Sequence, residues 1–431
     1  MAAHASSAAF PYPTPRQSSL GKLVNGALFL TIVASPFVFV EPSPYEAAFA
    51  LLALAFLAAR VPVDRGVVPL ALLLLVWNVS GLAALVPFMH DTKAVTFVAT
   101  SLYLAVTAVV FACLFADDVE RRLETLRTAY IIAALIAAFV GIAAYFHLLP
   151  NSERFLLGAI RAKGTFKDPN VYGPFLVLPL LLLIERNLRE GLRLLSLPVI
   201  LVLLVGLFLS FSRGAWGNFL ASAMVLLLLM FVTSPNPRFR VRILALGLLA
   251  ILAFVLILAV LISFDAIGTA FQERAIILQE YDAGPGGRFG RQMEGITGVL
   301  ESPLGIGPLQ FAKRFNHDPH NVYLNAFASY GWAGGIAYLM LVLTTLYVGF
   351  RAVVVRTVWQ PYLVAAVAAY TGAALEGIVI DTDHWRHYFL LLGMVWGLSI
   401  ATPHAVASRR QESHQPSDAT TPAPYPVFRL G

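Results

Sequence analysis

Long apolar stretches, repeated along almost the whole chain, constrain its fold more than any other feature. A stretch of about 20 apolar residues is long enough to cross a bilayer as a helix. Such stretches recur between residues 24 and 402, and 58% of the 431 residues are hydrophobic. Only 13% are charged, against about 25% in soluble domains. The sequence therefore predicts an all-α, polytopic integral membrane protein.

The positions of these stretches predict about twelve transmembrane helices. A disordered cytoplasmic N-terminus is expected over 1–22, a transmembrane domain over 23–403 and a disordered cytoplasmic tail over 404–431. The apolar stretch after Lys22 is interpreted as an uncleaved first helix, because a second stretch follows at once. A single cysteine, Cys113, excludes a disulfide within the chain. The predicted spans lie near 24–40, 45–60, 66–88, 94–116, 128–149, 171–185, 192–211, 214–233, 241–264, 320–350, 359–380 and 384–402.

Basic residues indicate the orientation of the spans, since Lys and Arg are enriched in cytoplasmic loops. Most of them fall in alternate short connections, which places both termini in the cytoplasm and explains the net charge of +6 without a nucleic-acid partner. The other side carries two concentrations of positive charge that oppose this rule. An anionic ligand is their simplest explanation. The two groups are Arg154, Arg161, Lys163 and Lys167, and then Arg274, Arg288, Arg291, Lys313 and Arg314.

The largest loop, at about 265–319, is predicted to lie in the periplasm. Phe289, Met293, Ile296 and Leu300 recur in it at helical spacing. This pattern is typical of an amphipathic helix that lies on the membrane or on the spans.

Two Asp-Pro pairs on the predicted outer side resemble helix starts. Asp168-Pro169 precedes Asn170, and Asp318-Pro319 precedes His320 and Asn321. Asp is a good N-cap and Pro is favoured at the first helical position. The free N–H groups of a helix start attract anions, so each pair could mark an anion site. The alternative is a pair of ordinary capped helices.

His320 and Arg213 are the strongest single candidates for chemistry. His320 is expected in the first turn of its helix, where the ring stays neutral and can accept a proton. The alternative is an interfacial histidine without a catalytic role. Arg213 lies between two apolar stretches, where an arginine costs about 2.5–3.5 kcal/mol on insertion scales. It either binds a ligand or snorkels to the interface, and Gly214 is expected to allow a tight re-entry.

Arg288 is the better ligand candidate in the amphipathic helix, because Arg291 has Glu294 at pairing distance and Arg288 has no such neighbour.

The acidic group formed by Glu376, Asp381 and Asp383 is interpreted as charge balance for the arginines. No spacing of His, Cys, Asp and Glu resembles a metal site.

Several of these segments resemble the O-antigen ligase and polymerase superfamily. The stretch 161–173 is similar to the segment that opens its membrane region, and Ser212-Arg213-Gly214-Ala215-Trp216 is similar to its next motif. A third motif is matched by Gly305-Ile306-Gly307, by 320–324 and by 331–334. The resemblance covers about 160–345, and the order and spacing of the motifs agree.

The resemblance implies a membrane-embedded glycosyltransferase of the bacterial inner membrane, with its active site facing the periplasm. It implies an undecaprenyl-diphosphate-linked glycan as donor, lipid A-core as acceptor, and an inverting reaction without metal or cofactor. The family's essential histidine corresponds to His320. Its diphosphate-binding residues correspond to Arg213 and Arg288, with Arg161 and Lys163 as further candidates. Asn170 and Asn321 support them within the matched motifs.

Two alternatives stay open at this point. A polymerase that extends an O-antigen or exopolysaccharide shares the donor chemistry and differs in using the growing glycan as acceptor. A lipid-linked glycan transporter or flippase would show inverted repeats and substrate-binding charges near the middle of the spans. The sequence has no visible repeat, and its charges lie at one predicted boundary.

Overall fold

The computed structural model describes residues 19–39, 42–158, 160–262 and 288–414. Within these ranges the protein is a helical bundle, and a two-stranded antiparallel hairpin of Leu156–Leu157 (β1) and Arg161–Ala162 (β2) is its sheet. The helices are Ser19–Ala34 (α1), Pro44–Ala58 (α2), Val68–Leu85 (α3), Thr92–Ala116 (α4), Val119–Tyr145 (α5), Pro169–Phe175 (α6), Val177–Glu190 (α7), Ser196–Leu209 (α8), Arg213–Thr233 (α9), Pro237–Ile262 (α10), Arg288–Leu300 (α11), Phe311–Phe315 (α12), Val322–Val353 (α13), Gln360–Glu376 (α14) and Arg386–His414 (α15). Short 3₁₀ turns cover Arg65–Val67, Val86–Phe88 and Ser152–Phe155.

Length and apolar composition confirm the predicted class of fold. In the described part of the chain, 7 helical segments are long and apolar enough to cross a membrane. Three shorter apolar helices, α1, α2 and α8, accompany them. The number of twelve spans stays a prediction. The seven segments are Arg65–Phe88, Thr92–Ala116, Val119–Tyr145, Pro169–Glu190, Arg213–Thr233, Val322–Val353 and Arg386–Ala407.

Both ends of the predicted membrane domain differ from the sequence-based boundaries. Helix α1 already begins at Ser19, inside the segment predicted to be disordered, and α15 continues to His414, past the predicted end at 403. Of the predicted periplasmic loop, residues 265–287 lie outside the described ranges, and the remainder contains α11 and α12.

Segments predicted to be cytoplasmic meet at one end of the bundle. The Arg127 guanidinium donates to the Tyr362 hydroxyl, 2.9 Å away. The Arg242 guanidinium donates to the Asn187 carbonyl oxygen at 3.1 Å, and the His404 ring lies 3.0 Å from the Asp64 carboxylate. Connections that are far apart in the chain therefore share one end, as the alternation of basic segments predicts.

The opposite end, called here the site end, is where five capped helices begin. Side chains cap the N-termini of α2, α4, α6, α9 and α13, which satisfies N–H groups that a helix leaves unpaired at its start. Helix α14 runs the other way and ends beside two of these helix starts, those of α9 and α13. The caps are Ser43, Asp91, Asp168, Ser212 and Asn321.

Small residues allow α14 to pack deep inside the bundle. Ala365, Ala366, Ala368 and Ala369 are all buried. A Cβ at Gly372 would collide with the side chains of Ser222 and Asn218 on α9, so glycine lets the two backbones approach closely. This packing fixes where the C-terminal end of α14 meets the start of α9.

Candidate functional site

Arg161 is joined to the starts of α6 and α9 by one hydrogen-bond network. Its Nη2 donates to the Asn170 side-chain oxygen at 2.8 Å, and its Nε donates to the Ser210 carbonyl at 3.2 Å. The Ser212 hydroxyl donates to the same Asn170 oxygen at 2.8 Å. The amide of Asn170 therefore ties the β-hairpin to the segment that carries Arg213.

The predicted Asp168-Pro169 helix start is confirmed. The Asp168 carboxylate accepts from the Asn170 backbone N–H at 2.8 Å, and Pro169 occupies the first turn of α6. Lys163 follows the second strand of the hairpin, and its backbone N–H donates to the Phe155 carbonyl at 3.0 Å. Both predicted basic candidates of this segment, Arg161 and Lys163, are half-buried.

Arg213 is the first residue of α9, directly after the capping Ser212, and its side chain is half-buried. The expectation that Gly214 makes the tight re-entry is wrong. Phe211 makes the turn instead, with a left-handed backbone at φ +45°. Gly214 is needed for another reason, because a Cβ there would lie 2.9 Å from Oε1 of Glu376.

Glu376 is a buried carboxylate at the end of α14, with 4% of its surface exposed. Its Oε2 accepts from the Asn218 amide on α9 at 2.7 Å, and the Asn218 oxygen accepts from Ser222 at 3.0 Å. Its Oε1 faces Gly214 and has no hydrogen-bond partner among the described residues. Sequence reasoning treated this residue as charge balance, and its contact is with the turn of α9 that carries Arg213.

The start of α13 packs against the same end of α14. The Val322 N–H donates to the Gly377 carbonyl at 2.8 Å, and the Tyr323 hydroxyl donates to the Ala374 carbonyl at 2.7 Å. Arg213 and His320 therefore lie beside helix starts that both touch the C-terminal end of α14. The structure places the two strongest sequence candidates at one end of the bundle.

The predicted position of His320 within a helical turn is wrong. Asn321 is the N-cap of α13 and accepts from the Leu324 N–H at 3.0 Å, so His320 precedes the helix. His320 is half-buried and has a left-handed backbone with φ +46°. That conformation is uncommon outside glycine, and it persists where the surroundings impose it.

Asp381 lies beside the loop that precedes α13. Its carboxyl faces the backbone N–H groups of His320 and Asn321. Burial, reinforced by the neighbouring Asp383 and Asp318, raises the pKa of Asp381 to about 8. A side chain of this protein thus occupies the place at the start of α13 where the sequence predicted a bound anion.

Helix α11 brings the predicted periplasmic segment to His320. The Gln292 amide donates to the carbonyl oxygens of Pro319 at 3.3 Å and His320 at 3.4 Å. Arg288 begins the same helix one turn earlier, and its side chain lies outside the described residues. Val299 of this amphipathic helix packs against Leu324 and Ala328 of α13, so one face lies on a span. Met293, Ile296 and Leu300 are exposed on the helix.

The Gly305-Ile306-Gly307 turn is docked into a break in α13. Gly331 interrupts that helix with φ +70° and ψ −174°. The Ala328 carbonyl left over by the break accepts from the N–H groups of Ile306 at 2.7 Å and Gly307 at 3.1 Å, and the Trp332 N–H donates to Pro303 at 2.9 Å. These two glycine motifs are therefore one structural unit, which sequence reasoning did not connect.

A comparison with protein families matches residues 198–339 to the family described as O-antigen ligase. The matched region runs from α8 into α13 and includes Arg213, Arg288 and His320, whereas Arg161, Lys163 and Asn170 precede it. A comparison with curated proteins finds no match to this chain. Part of the chain, residues 198–339, is therefore similar to the O-antigen ligase family, within a protein whose described residues include seven helices long and apolar enough to cross a membrane.

Proposed function

We propose that this protein transfers a glycan from undecaprenyl diphosphate to lipid A-core, as an O-antigen ligase-like enzyme. The proposal places it in the bacterial inner membrane, with both termini in the cytoplasm and the site end facing the periplasm. The observation that supports it is that the starts of α9 and α13, beside Arg213 and His320, both contact the end of α14. The match to the O-antigen ligase family gives the class of reaction.

The basic residues are assigned to the diphosphate. In the reaction the bond between the anomeric carbon and a diphosphate oxygen breaks, and its electron pair goes to the diphosphate. Guanidinium groups stabilise such growing charge through paired, charge-assisted hydrogen bonds. Arg213, Arg161 and Lys163 would hold the diphosphate from the α9 side. Arg288 would reach it from α11, which contacts the His320 loop through Gln292.

His320 is assigned to the acceptor. Its imidazole would take the proton of the acceptor hydroxyl while that oxygen forms the new bond to the anomeric carbon. A direct displacement of this kind inverts the anomeric configuration. In this mechanism the arginines and the starts of α6 and α9 supply the positive charge, and no metal or cofactor takes part. Asn170 and Asn321 support the site by fixing Arg161 and the start of α13.

The location of the charged candidates argues against transport as the main activity. A flippase or transporter would carry its substrate-binding groups near the middle of the spans. Here the candidates lie at the helix starts of one end. A polymerase keeps the same donor and the same site, so it is separated from a ligase by its product.

Surface glycans of a strain that lacks this gene distinguish these activities. A ligase predicts full-length polymer accumulating on undecaprenyl diphosphate while lipid A-core remains unmodified. Single repeat units on the carrier would instead identify a polymerase. Normal surface glycans in the deletion strain, with no accumulated carrier-linked material, would overturn the proposed function.

A further inference from the structure

We infer that the segment from Glu376 to Asp381, at the end of α14, is a positioning element that holds Arg213 and His320 in register. The inference rests on the proposed function, because it assigns Arg213 to the diphosphate and His320 to the acceptor. It replaces charge balance as the role of these two acidic residues. Glu376 contacts the turn that carries Arg213, and Asp381 faces the backbone of His320. Loss of each carboxyl is therefore expected to cause a different defect.

Glu376 supports the first turn of α9. Its carboxylate fills the space that the missing Cβ of Gly214 leaves, and it is bonded to Asn218 one turn further along the same helix. Truncation to alanine would open a cavity beneath Gly214 and leave the Asn218 amide unpaired, and both changes favour a shift of this turn. Because Arg213 is the first residue of that turn, its guanidinium would shift with it.

Asp381 supports the left-handed backbone of His320. Its carboxyl faces two consecutive N–H groups beside the helix start, those of His320 and Asn321. Its Oδ1 is buried without a hydrogen-bond partner among the described residues. Without that carboxyl, the loop before α13 loses the group that compensates its strained conformation, and the imidazole loses its fixed position.

The peptide between the two carboxyls is itself held in place. The N–H groups of Val379 and Ile380 both donate to the Glu376 carbonyl, at 2.9 and 3.2 Å. Gly377 accepts from the Val322 N–H, and a Cβ at Gly377 would lie 2.7 Å from the Val322 side chain. This short, hydrogen-bonded segment thus connects the part of the site beside Arg213 with the part beside His320.

Two measurements on the full-length protein in nanodiscs separate the two effects. One is the binding of undecaprenyl diphosphate, and the other is its release from the lipid-linked glycan extracted from the deletion strain. Binding needs no acceptor, whereas release is measured with lipid A-core present, because the diphosphate leaves only when the acceptor hydroxyl attacks. A misplacement of about 1 Å can cost about 100-fold in rate.

Glu376→Ala should weaken undecaprenyl diphosphate binding about tenfold, whereas Asp381→Ala should leave binding within about twofold and slow release about 100-fold. Glu376→Gln and Asp381→Asn keep an acceptor oxygen in each position and should restore both quantities to within about threefold of the natural protein. If an alanine variant fails to accumulate, Glu376→Asp decides the first effect. Asp381→Glu, which moves that carboxyl by one methylene, then decides the second.

Natural binding in Glu376→Ala together with natural release in Asp381→Ala would overturn the inference, and so would losses that only follow the amount of folded protein. His320→Ala, measured beside them, tests the proposed function separately. If His320→Ala still releases undecaprenyl diphosphate normally, the proposed function fails. If it is inactive while the carboxyl variants behave like the natural protein, only the positioning element fails.

Discussion

His320 and Arg213 show how single residues acquire a role from distant parts of the chain. Neither position is defined by its own helix alone. Glu376 packs against the glycine that follows Arg213, and Asp381 faces the backbone of His320. Substitutions at these two sites test the assigned chemistry most directly.

Replacement of His320 by alanine should abolish glycan transfer. A positioned general base contributes about 10²–10⁴-fold to a rate, and alanine leaves no group to take the hydroxyl proton. The measurement is transfer of glycan to lipid A-core in membranes that contain equal amounts of protein. His90→Ala is the matched control, since His90 is an exposed histidine in the loop between α3 and α4. Transfer at the natural rate by His320→Ala would remove this residue from the mechanism.

Arg213→Lys should lower transfer by about 10²-fold, a loss typical of removing one positioned donor to developing charge. A lysine keeps the positive charge and lacks the planar fork that binds two phosphate oxygens at once. Arg238→Lys is the control, because Arg238 is an exposed arginine in the first turn of α10, in a segment predicted to be cytoplasmic. Equal activity of the two variants would contradict clamping of the diphosphate by Arg213.

The sequence identifies these residues as candidates, but it does not predict their local backbone geometry. Two Asp-Pro pairs with the same apparent meaning behave differently. Asp168 caps α6, whereas Asp318 caps no helix and α13 starts at Val322 behind Asn321. Asp381, which belongs to another connection, faces the N–H groups before α13. Such a tertiary contact has no signature in the local sequence.

Among the elements, the interrupted helix α13 shows most clearly what a pattern cannot predict. The apolar stretch predicts one continuous span, and Gly331 breaks it. The break frees the Ala328 carbonyl, which then accepts from the docked turn at Ile306 and Gly307. The same turn is followed by α12, where Lys313 bonds to Asp91 at 2.7 Å and holds the pKa of that carboxyl at about 2.

Gly331→Ala should destabilise the protein by about 1–3 kcal/mol, the cost of forcing a side chain into a backbone region that glycine alone adopts readily. A Cβ there would also lie 2.6 Å from the Pro303 carbonyl. Loss of monomer on heating, followed in detergent, measures the effect. Gly217→Ala is the control, because a Cβ at Gly217 on α9 meets nothing within 4 Å and alanine favours helix. Equal thermal stability of Gly331→Ala and the natural protein would contradict a structural role for the break.

For the whole molecule, the apolar pattern was sufficient to predict the class of fold and was insufficient to count its spans. Long apolar helices are required for any chain that crosses a bilayer by helices, and their composition alone reveals them. The short apolar helices prevent an exact count of the spans from composition. Helices α1, α2 and α8 have 16, 15 and 14 residues, below the length at which composition alone identifies a span.

Cysteine labelling tests the orientation, which neither composition nor packing fixes. In a Cys113→Ala background, Met89→Cys and Asn316→Cys place exposed thiols at the site end, and Leu195→Cys places one at the opposite end. The positive-inside rule predicts that a membrane-impermeant maleimide added to intact spheroplasts labels the first two positions. Leu195→Cys should react only after permeabilisation. The reverse pattern would place His320 and Arg213 in the cytoplasm, where a donor presented at the periplasmic face could not reach them.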